Sequence, residues 1–557
     1  MNNENYNNNI NTNNTPFNYN SNYVNQNYTQ NTQFQNNNGS SNKSKLKKVI
    51  FLLLVIVILA TIGLFLYLKK DKTKNNDFDI NYSTAFFIQD SNSKYALFND
   101  DGKKLTDFIF THVSDFVNGT SLVKKDDAYG IIDSNGKMTV DFGKYDYITN
   151  AAGMYKVHDK DYHYYLINGS GKVLYDMENM SLDTFIGADT YSILEDDKSK
   201  TYKVLNYEGR AMLTFPIDDN AEDSPSTNEE DGYISVFYNK KNYILNLITG
   251  KEMISFNSDV HYCVNNVEED GKIITLNSCV SWYQSQEKTY YKFIKDGKLY
   301  DLNDKCEKVY YSEGNLVCYN NYKDYLLDSN LNVGIQISDT AYLDNNNYAK
   351  SKDGSFSGID FYNNGKVVKK VECRRLEETG YMKNGLYILG TYYSKTCKTE
   401  SGTYEYYTSN GENAFGKSFQ KAEKFDENGL AKVSEDKENY YLIDSTGKKV
   451  SNDYSSISLS SGYYIVAKDD LKGIIDKDGK IIVDCLYLKV EITEKQNKKY
   501  AKLTTSDSKY VIYDISEKSE LMTFDSSPSF STHYITVKKD GHNQYYTYNG
   551  KMFYESK

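Results

Sequence analysis

Proline is nearly missing, with 4 in 557 residues, and tryptophan occurs once, at Trp282. Local signatures of common chemistries are missing as well. The 6 histidines form no His-Glu-x-x-His pair, and no Gly-x-Ser-x-Gly elbow, Walker loop or dinucleotide fingerprint is present, so zinc-protease, serine-hydrolase and nucleotide-binding motifs are excluded. The 7 cysteines show no Cys-x-x-Cys spacing, which argues against a structural zinc site. No catalytic, cofactor-binding or metal-binding residue is assigned, and no cofactor is expected. His158 and His163, with acids between them, are a faint hint of a metal, and seven acids within 218–232 a faint hint of calcium; a solvated loop is the plainer reading of the latter.

Long apolar runs are missing except for one. Residues 49–68, VIFLLLVIVILATIGLFLYL, carry no charge, and twenty residues at about 1.5 Å each match a hydrocarbon core of about 30 Å. The run is too long, starts too late and lacks the small-x-small exit of a cleaved signal peptide. It is expected to be a single-pass transmembrane helix, followed by a linker over 69–80. Before it, 1–48 form an Asn-rich tail with 19 Asn in the first 42 residues, too polar to offset ordering entropy and therefore expected to be disordered. Lys43, Lys45, Lys47 and Lys48 precede the apolar run while Lys69, Lys70, Lys72 and Lys74 follow it, so loop charge leaves the orientation tied.

A basic surface is missing too. Eight lysines against two acids give the first 74 residues +6; with a total of −11, the remainder carries −17. Such a charge disfavours nucleic acid and anionic lipid as partners.

Repetition is what the chain has in quantity. Residues 472–484, KGIIDKDGKIIVD, nearly copy residues 129–141, YGIIDSNGKMTVD. β-branched runs flank Asp, two residues and Gly, which reads as a hairpin: the Asp side chain bonds back to the backbone and the Gly accepts a positive φ. The turn residues are Asp133 and Gly136, Asp444 and Gly447, Asp476 and Gly479, with further copies starting at Asn99, Asn168 and Asn206. Copies recur about every 32–48 residues, a period of one supersecondary unit. A second phrase, an apolar residue, a turn, Gly and a short strand, precedes several of them, as in EKFDENGLAKVSEDK at 423–437. Each unit then holds three or four short strands.

These residues resemble the bacterial WG-repeat family. Gly130-Ile131-Ile132-Asp133, Gly473-Ile474-Ile475-Asp476 and the stretch FDENGLAKV at 425–433 carry the likeness. Tyr129 and Lys472 stand where the family has Trp. The resemblance implies a β-repeat fold over most of 80–557, and an N-terminal anchor with the repeats outside the cell. It implies no activity, because no catalytic residue travels with the motif.

Six cysteines lie between residues 263 and 397. Cys263 with Cys279, Cys306 with Cys318, and Cys373 with Cys397 are each near-symmetrical about turn-like residues, so cross-strand disulfides are candidates, with buried free thiols as the alternative. Bridged pairs would belong to an oxidising compartment. That favours a cytoplasmic N-terminus and an extracytoplasmic repeat region in a single-pass cell-membrane protein.

The fold class expected is all-β: about thirteen tandem short-strand repeats forming two β-propeller-like domains, 81–315 and 316–557, because one propeller usually holds four to eight blades. The function expected is a non-enzymatic, surface-exposed binding or scaffold module for a glycan, peptidoglycan or protein ligand. The alternative is a cell-wall hydrolase whose carboxylates converge from several repeats. The 55 tyrosines suit sugar stacking, although a compositional bias toward Asn, Lys and Tyr accounts for them more plainly.

Overall fold

The computed structural model describes residues 83–183, 191–218, 224–268, 271–279, 289–352, 358–391, 397 and 402–556. The chain divides into two units, Met1–Asn76 and Asp77–Lys557. The expected tail 1–48, helix 49–68 and linker 69–80 all lie outside the described residues. Trp282 does too.

Within the second unit, thirteen small sheets succeed one another along the chain among the described residues. Most have four antiparallel strands paired in chain order. The second sheet is typical, with His112–Val113, Thr120–Lys125, Ala128–Asp133 and Met138–Val140 side by side. The eighth departs from this pattern. There Thr340–Tyr342 takes Gly380–Tyr381 as a parallel edge strand, the one parallel pair among the described residues.

Local chemistry makes each hairpin. The Asp133 carboxylate accepts the N–H groups of Asn135 and Lys137, both at 2.9 Å, and Gly136 donates to the Asp133 carbonyl at 3.0 Å with φ +84°. Asp444 holds Thr446 and Lys448 at 2.9 and 3.1 Å around Gly447, and Asp476 holds Asp478 and Lys480 at 3.0 and 2.9 Å around Gly479. In all three, one carboxylate saturates two donors while the glycine supplies the left-handed residue of a bulged turn. The register slips beside the turn, between Ile131 and Ile132 and between Ile474 and Ile475.

The glycine one residue before the paired isoleucines has a different task. A Cβ on Gly473 would lie 2.5 Å from the Val483 carbonyl oxygen and 2.8 Å from the Cys485 nitrogen. The bulged partner strand passes directly over it, and only hydrogen fits. Gly473→Ala is expected to cost about 1–3 kcal/mol, as overpacking does, read as a lower urea midpoint at unchanged slope. An unchanged midpoint would show that the partner strand yields freely.

The apolar core is a succession of small clusters, most of which join sheets adjacent in the chain. Leu97 of the first sheet, with Phe110 bridged to Tyr95 beside it, meets Val123 and Ile132 of the second. Ile131 and Val140 of the second meet Ile148 and Tyr155 of the third. Val317 and Leu326 of the seventh meet Tyr342 of the eighth. Phe86 and Phe98 of the first sheet also pack against Tyr534, Tyr545, Phe553 and Tyr554 of the last.

The expected fold class is corrected by this arrangement. The chain is all-β and built of short-strand repeats, but residues 77–557 make one compact unit rather than two, its sheets follow in series, and no closed propeller is seen among the described residues. Among the described residues no helix is long and apolar enough to cross a membrane; the expected helix 49–68 lies outside them.

Candidate functional site

Three places among the described residues gather chemistry-bearing side chains. The first is an aromatic row over the second and third sheets. Tyr147, His158 and Tyr164 are cross-strand neighbours, because Tyr147 pairs with His158 and His158 with Tyr164. Side chains at paired positions share a face, so the three rings line up. Tyr147 stacks on His158 at 5.8 Å, Tyr162 stacks on His158 at 5.3 Å, and Tyr164 tilts toward it at 5.2 Å. Tyr129, in the family's Trp position, meets Tyr147 edge-on at 5.4 Å. Lys124 and Lys156 lie 5.1 and 5.4 Å from the rings of Tyr129 and Tyr164.

Tyr162 is the unusual member. Asp159 accepts the N–H groups of Asp161 and His163, each at 3.0 Å, and Tyr162 donates to the Asp159 carbonyl at 3.1 Å. The local turn geometry is that at Asp133, but it joins Met154–His158 to Tyr164–Ile167, one hairpin earlier in the unit. The counterpart of Gly136 in this sheet is Gly171, and the turns matching that of Tyr162 hold Ser93 and Ser508. The φ of Tyr162 is +62°, a conformation costing an L-residue with a Cβ about 1–2 kcal/mol. Leu331 stands at the Gly136 position of another copy, with φ +64°, and its side chain is buried. The Tyr162 side chain is 72% exposed, so burial does not offset its strain. Backbone hydrogen bonds from His163 and Asp161 hold the Asp159 carboxyl below its ordinary range.

The second place is a charged cleft of about 640 Å³ in the tenth sheet, lined by Lys417, Glu435, Asp436, Tyr441, Lys449 and Asp453. Tyr441 donates to Glu435 at 2.7 Å, Lys417 pairs with Glu435 at 3.3 Å and Lys449 with Asp453 at 2.6 Å. The Tyr441 hydrogen bond and Lys417 hold Glu435 below the carboxylate range, and Asn439 does the same for Asp436. Both carboxylates are therefore ionised at neutral pH. Neither holds the proton that a general acid needs.

The third is His261 beside Cys263 and Cys279, whose ligand atoms all lie within 4.8 Å of one another. His261 Nδ1 lies 3.1 Å from Ser226 Oγ and Nε2 3.4 Å from Ser235 Oγ, and the imidazole stacks on Phe237. Burial pushes this imidazole down to about 4.

The structure places the residues singled out in the sequence as follows. Asp133 and Gly136, Asp476 and Gly479 serve turns of the second and eleventh sheets. Asp444 and Gly447 serve a turn of the tenth, and Gly447 borders the charged cleft. The cysteines are paired Cys263–Cys279, Cys306–Cys318 and Cys373–Cys397, with Cα separations of 5.2, 5.4 and 5.6 Å, and Cys485 is free. His158 lies in the aromatic row, whereas His163 faces Asp159 at 3.9 Å. Within the acidic stretch 218–232, Ser226–Glu230 is a strand.

The WG containing repeat family matches residues 95–127 and 129–156. WG-type repeats are thus shown over the second sheet and the strands flanking it, including three members of the aromatic row's surroundings: Tyr129, Tyr147 and Lys156. No curated protein sequence matches the chain. Among solved structures, the chain is similar to BamB from Moraxella catarrhalis at 12% identity, over 45% of this chain and 87% of that one, with a TM-score of 0.22. It is similar to apo AztD from Citrobacter koseri at 11% identity, over 58% and 93%, with a TM-score of 0.21, and to a eukaryotic initiation factor at 9% identity, over 85% and 98%, with a TM-score of 0.24.

Proposed function

We propose that the repeat unit is a non-enzymatic binding module exposed outside the cytoplasm, and that the aromatic row Tyr129, Tyr147, His158, Tyr162 and Tyr164 is its face for glycan. The observation that carries this reading is Tyr162. A bulky side chain sits at a left-handed turn position, φ +62°, where the matching turns hold the small side chains of Ser93 and Ser508, and its ring stays in water. Strain retained without compensating burial is a mark of function. Flat exposed rings suit the apolar C–H face of a pyranose, and Asp161, Lys156 and His163 beside them can bond its hydroxyls. The three disulfides support an oxidising compartment. The paired, ionised carboxylates of the charged cleft weigh against the hydrolase alternative.

The test is retention of the full chain on purified bacterial cell-wall polysaccharide. Tyr162→Gly is expected to weaken retention roughly three- to tenfold, the worth of one aromatic contact, while stability to urea stays equal or rises by about 1 kcal/mol as the strain is relieved. Opposite signs in the two measurements separate a ligand-facing residue from a structural one. Undiminished retention would defeat the reading. Soluble sugar released from the wall would favour the hydrolase instead.

A further inference from the structure

His261, Cys263 and Cys279 occupy one face of one two-stranded ladder. His261 and Cys263 are two residues apart at the start of the strand Tyr262–Glu268, so both point the same way. The Cys279 N–H donates to the His261 carbonyl at 2.9 Å, which sets Cys279 directly across from His261. Cys263 faces Asn277 in the register. All three side chains are partly exposed, so solvent, reductant and ion can reach them.

The other two bridges lack this setting. Cys306 and Cys318 are buried in an apolar cluster with Phe293, Val309 and Leu316. Cys373 and Cys397 have no histidine, aspartate or glutamate grouped with them among the described residues.

We propose that Cys263, Cys279 and His261 are a redox-gated site for a thiophilic divalent ion such as zinc, closed while the two sulfurs are bonded and opened when a thiol reduces them. Exchange with two equivalents of an external thiol breaks the Cys263–Cys279 bond, leaving two cysteine thiols and the external disulfide. The incoming ion displaces both thiol protons to solvent and takes two thiolate sulfurs and one imidazole nitrogen. Two thiolates balance a divalent charge, so the occupied site is neutral. The second imidazole nitrogen keeps a serine hydroxyl, Ser226 or Ser235, which orients the ring. A fourth position stays open to water or to a ligand.

Cobalt(II) tests the site in the full chain under anaerobic conditions, after reduction with dithiothreitol and its removal. The expected result is a sulfur-to-cobalt charge-transfer band that saturates at one ion per chain, disappears when zinc is added, and is absent from the unreduced protein. His261→Ala is expected to weaken cobalt binding by about a hundredfold and Ser226→Ala by about tenfold, the range seen when groups that hold or orient a ligand are lost. Circular dichroism of the unreduced His261→Ala chain establishes that it folds, and the Ser226→Ala result stands independently of it. The doubly substituted Cys306→Ser/Cys318→Ser and Cys373→Ser/Cys397→Ser chains are expected to keep the band. The proposal is overturned if reduced protein gives no band, if Cys263→Ser/Cys279→Ser retains it, or if His261→Ala and Ser226→Ala both bind cobalt as tightly as the unaltered chain.

Discussion

Phe98→Ala is expected to lower the unfolding free energy by about 3–5 kcal/mol, the usual cost of emptying a buried phenylalanine site. Phe98 is 2% exposed on the strand Tyr95–Asn99, and its ring lies 5.3 Å from Phe553 and 6.0 Å from Tyr554, both on the final strand Met552–Glu555. The approach is close: a Cβ on Gly102, in the turn after Phe98, would sit 2.5 Å from the Phe553 Cβ. Phe86 adds a stacking contact with His533 at 5.3 Å, and His533 Nδ1 lies 2.9 Å from Asp100 Oδ1. Residues from the two ends of the described chain therefore share one cluster. Because they share it, Phe98→Ala and Phe553→Ala should not add. The second substitution enters a site already partly emptied, and a coupling of about 0.5–3 kcal/mol is expected from a double-mutant cycle in urea. Strict additivity with small single effects would mean that the first and last sheets do not support one another.

What could be read from the sequence follows the range of the interaction. The turns at Asp133, Asp444 and Asp476 depend on five consecutive residues, so their chemistry is visible in any window that contains them, and a count of about thirteen units anticipates thirteen sheets. Which sheet packs on which is another matter. Ile131, Ile148 and Val236 belong to near-identical alternating strands, and nothing in such a strand names its neighbour. The expectation of two propeller-like domains came from dividing about thirteen units by the usual number of blades in a ring, with no residue to specify closure. The contact between Phe98 and Phe553 depends on positions at opposite ends of the repeat array, and no periodicity points to it. Tyr162 was passed over for another reason: it is local, but it lies one hairpin before the Asn168–Gly171 copy that the template picks out. A search for glycine at the fourth turn position skips Asp159-Lys160-Asp161-Tyr162-His163, although the Asp and the spacing were there to be seen.

The ninth sheet holds a buried charge whose removal should be as costly as that of Phe98. Arg374 and Glu405 lie on outer strands of this sheet, Arg374–Leu376 and Tyr404–Tyr407, with Tyr387–Thr391 between them. The guanidinium reaches across to the carboxylate through Nε at 3.0 Å and a second nitrogen at 3.1 Å, with side chains only 16% and 12% exposed. Tyr407 donates to Glu405 at 2.7 Å, and Arg374 also donates to the Cys373 carbonyl at 3.2 Å. Burial, and then the Glu405 carboxylate, push the Tyr407 phenol up to about 12, so Tyr407 stays a donor throughout the physiological range. Glu405→Ala leaves a guanidinium without its counter-charge in a place water hardly reaches, and is expected to cost about 3–5 kcal/mol. Glu405→Gln should cost nearly as much, since it keeps the shape and loses the charge. Glu405→Leu combined with Arg374→Met should recover most of the loss, because an apolar pair of similar volume pays no desolvation penalty. Urea unfolding of the four chains distinguishes this from a solvated surface pair: there each single substitution would cost less than about 1 kcal/mol, and the double substitution would recover nothing.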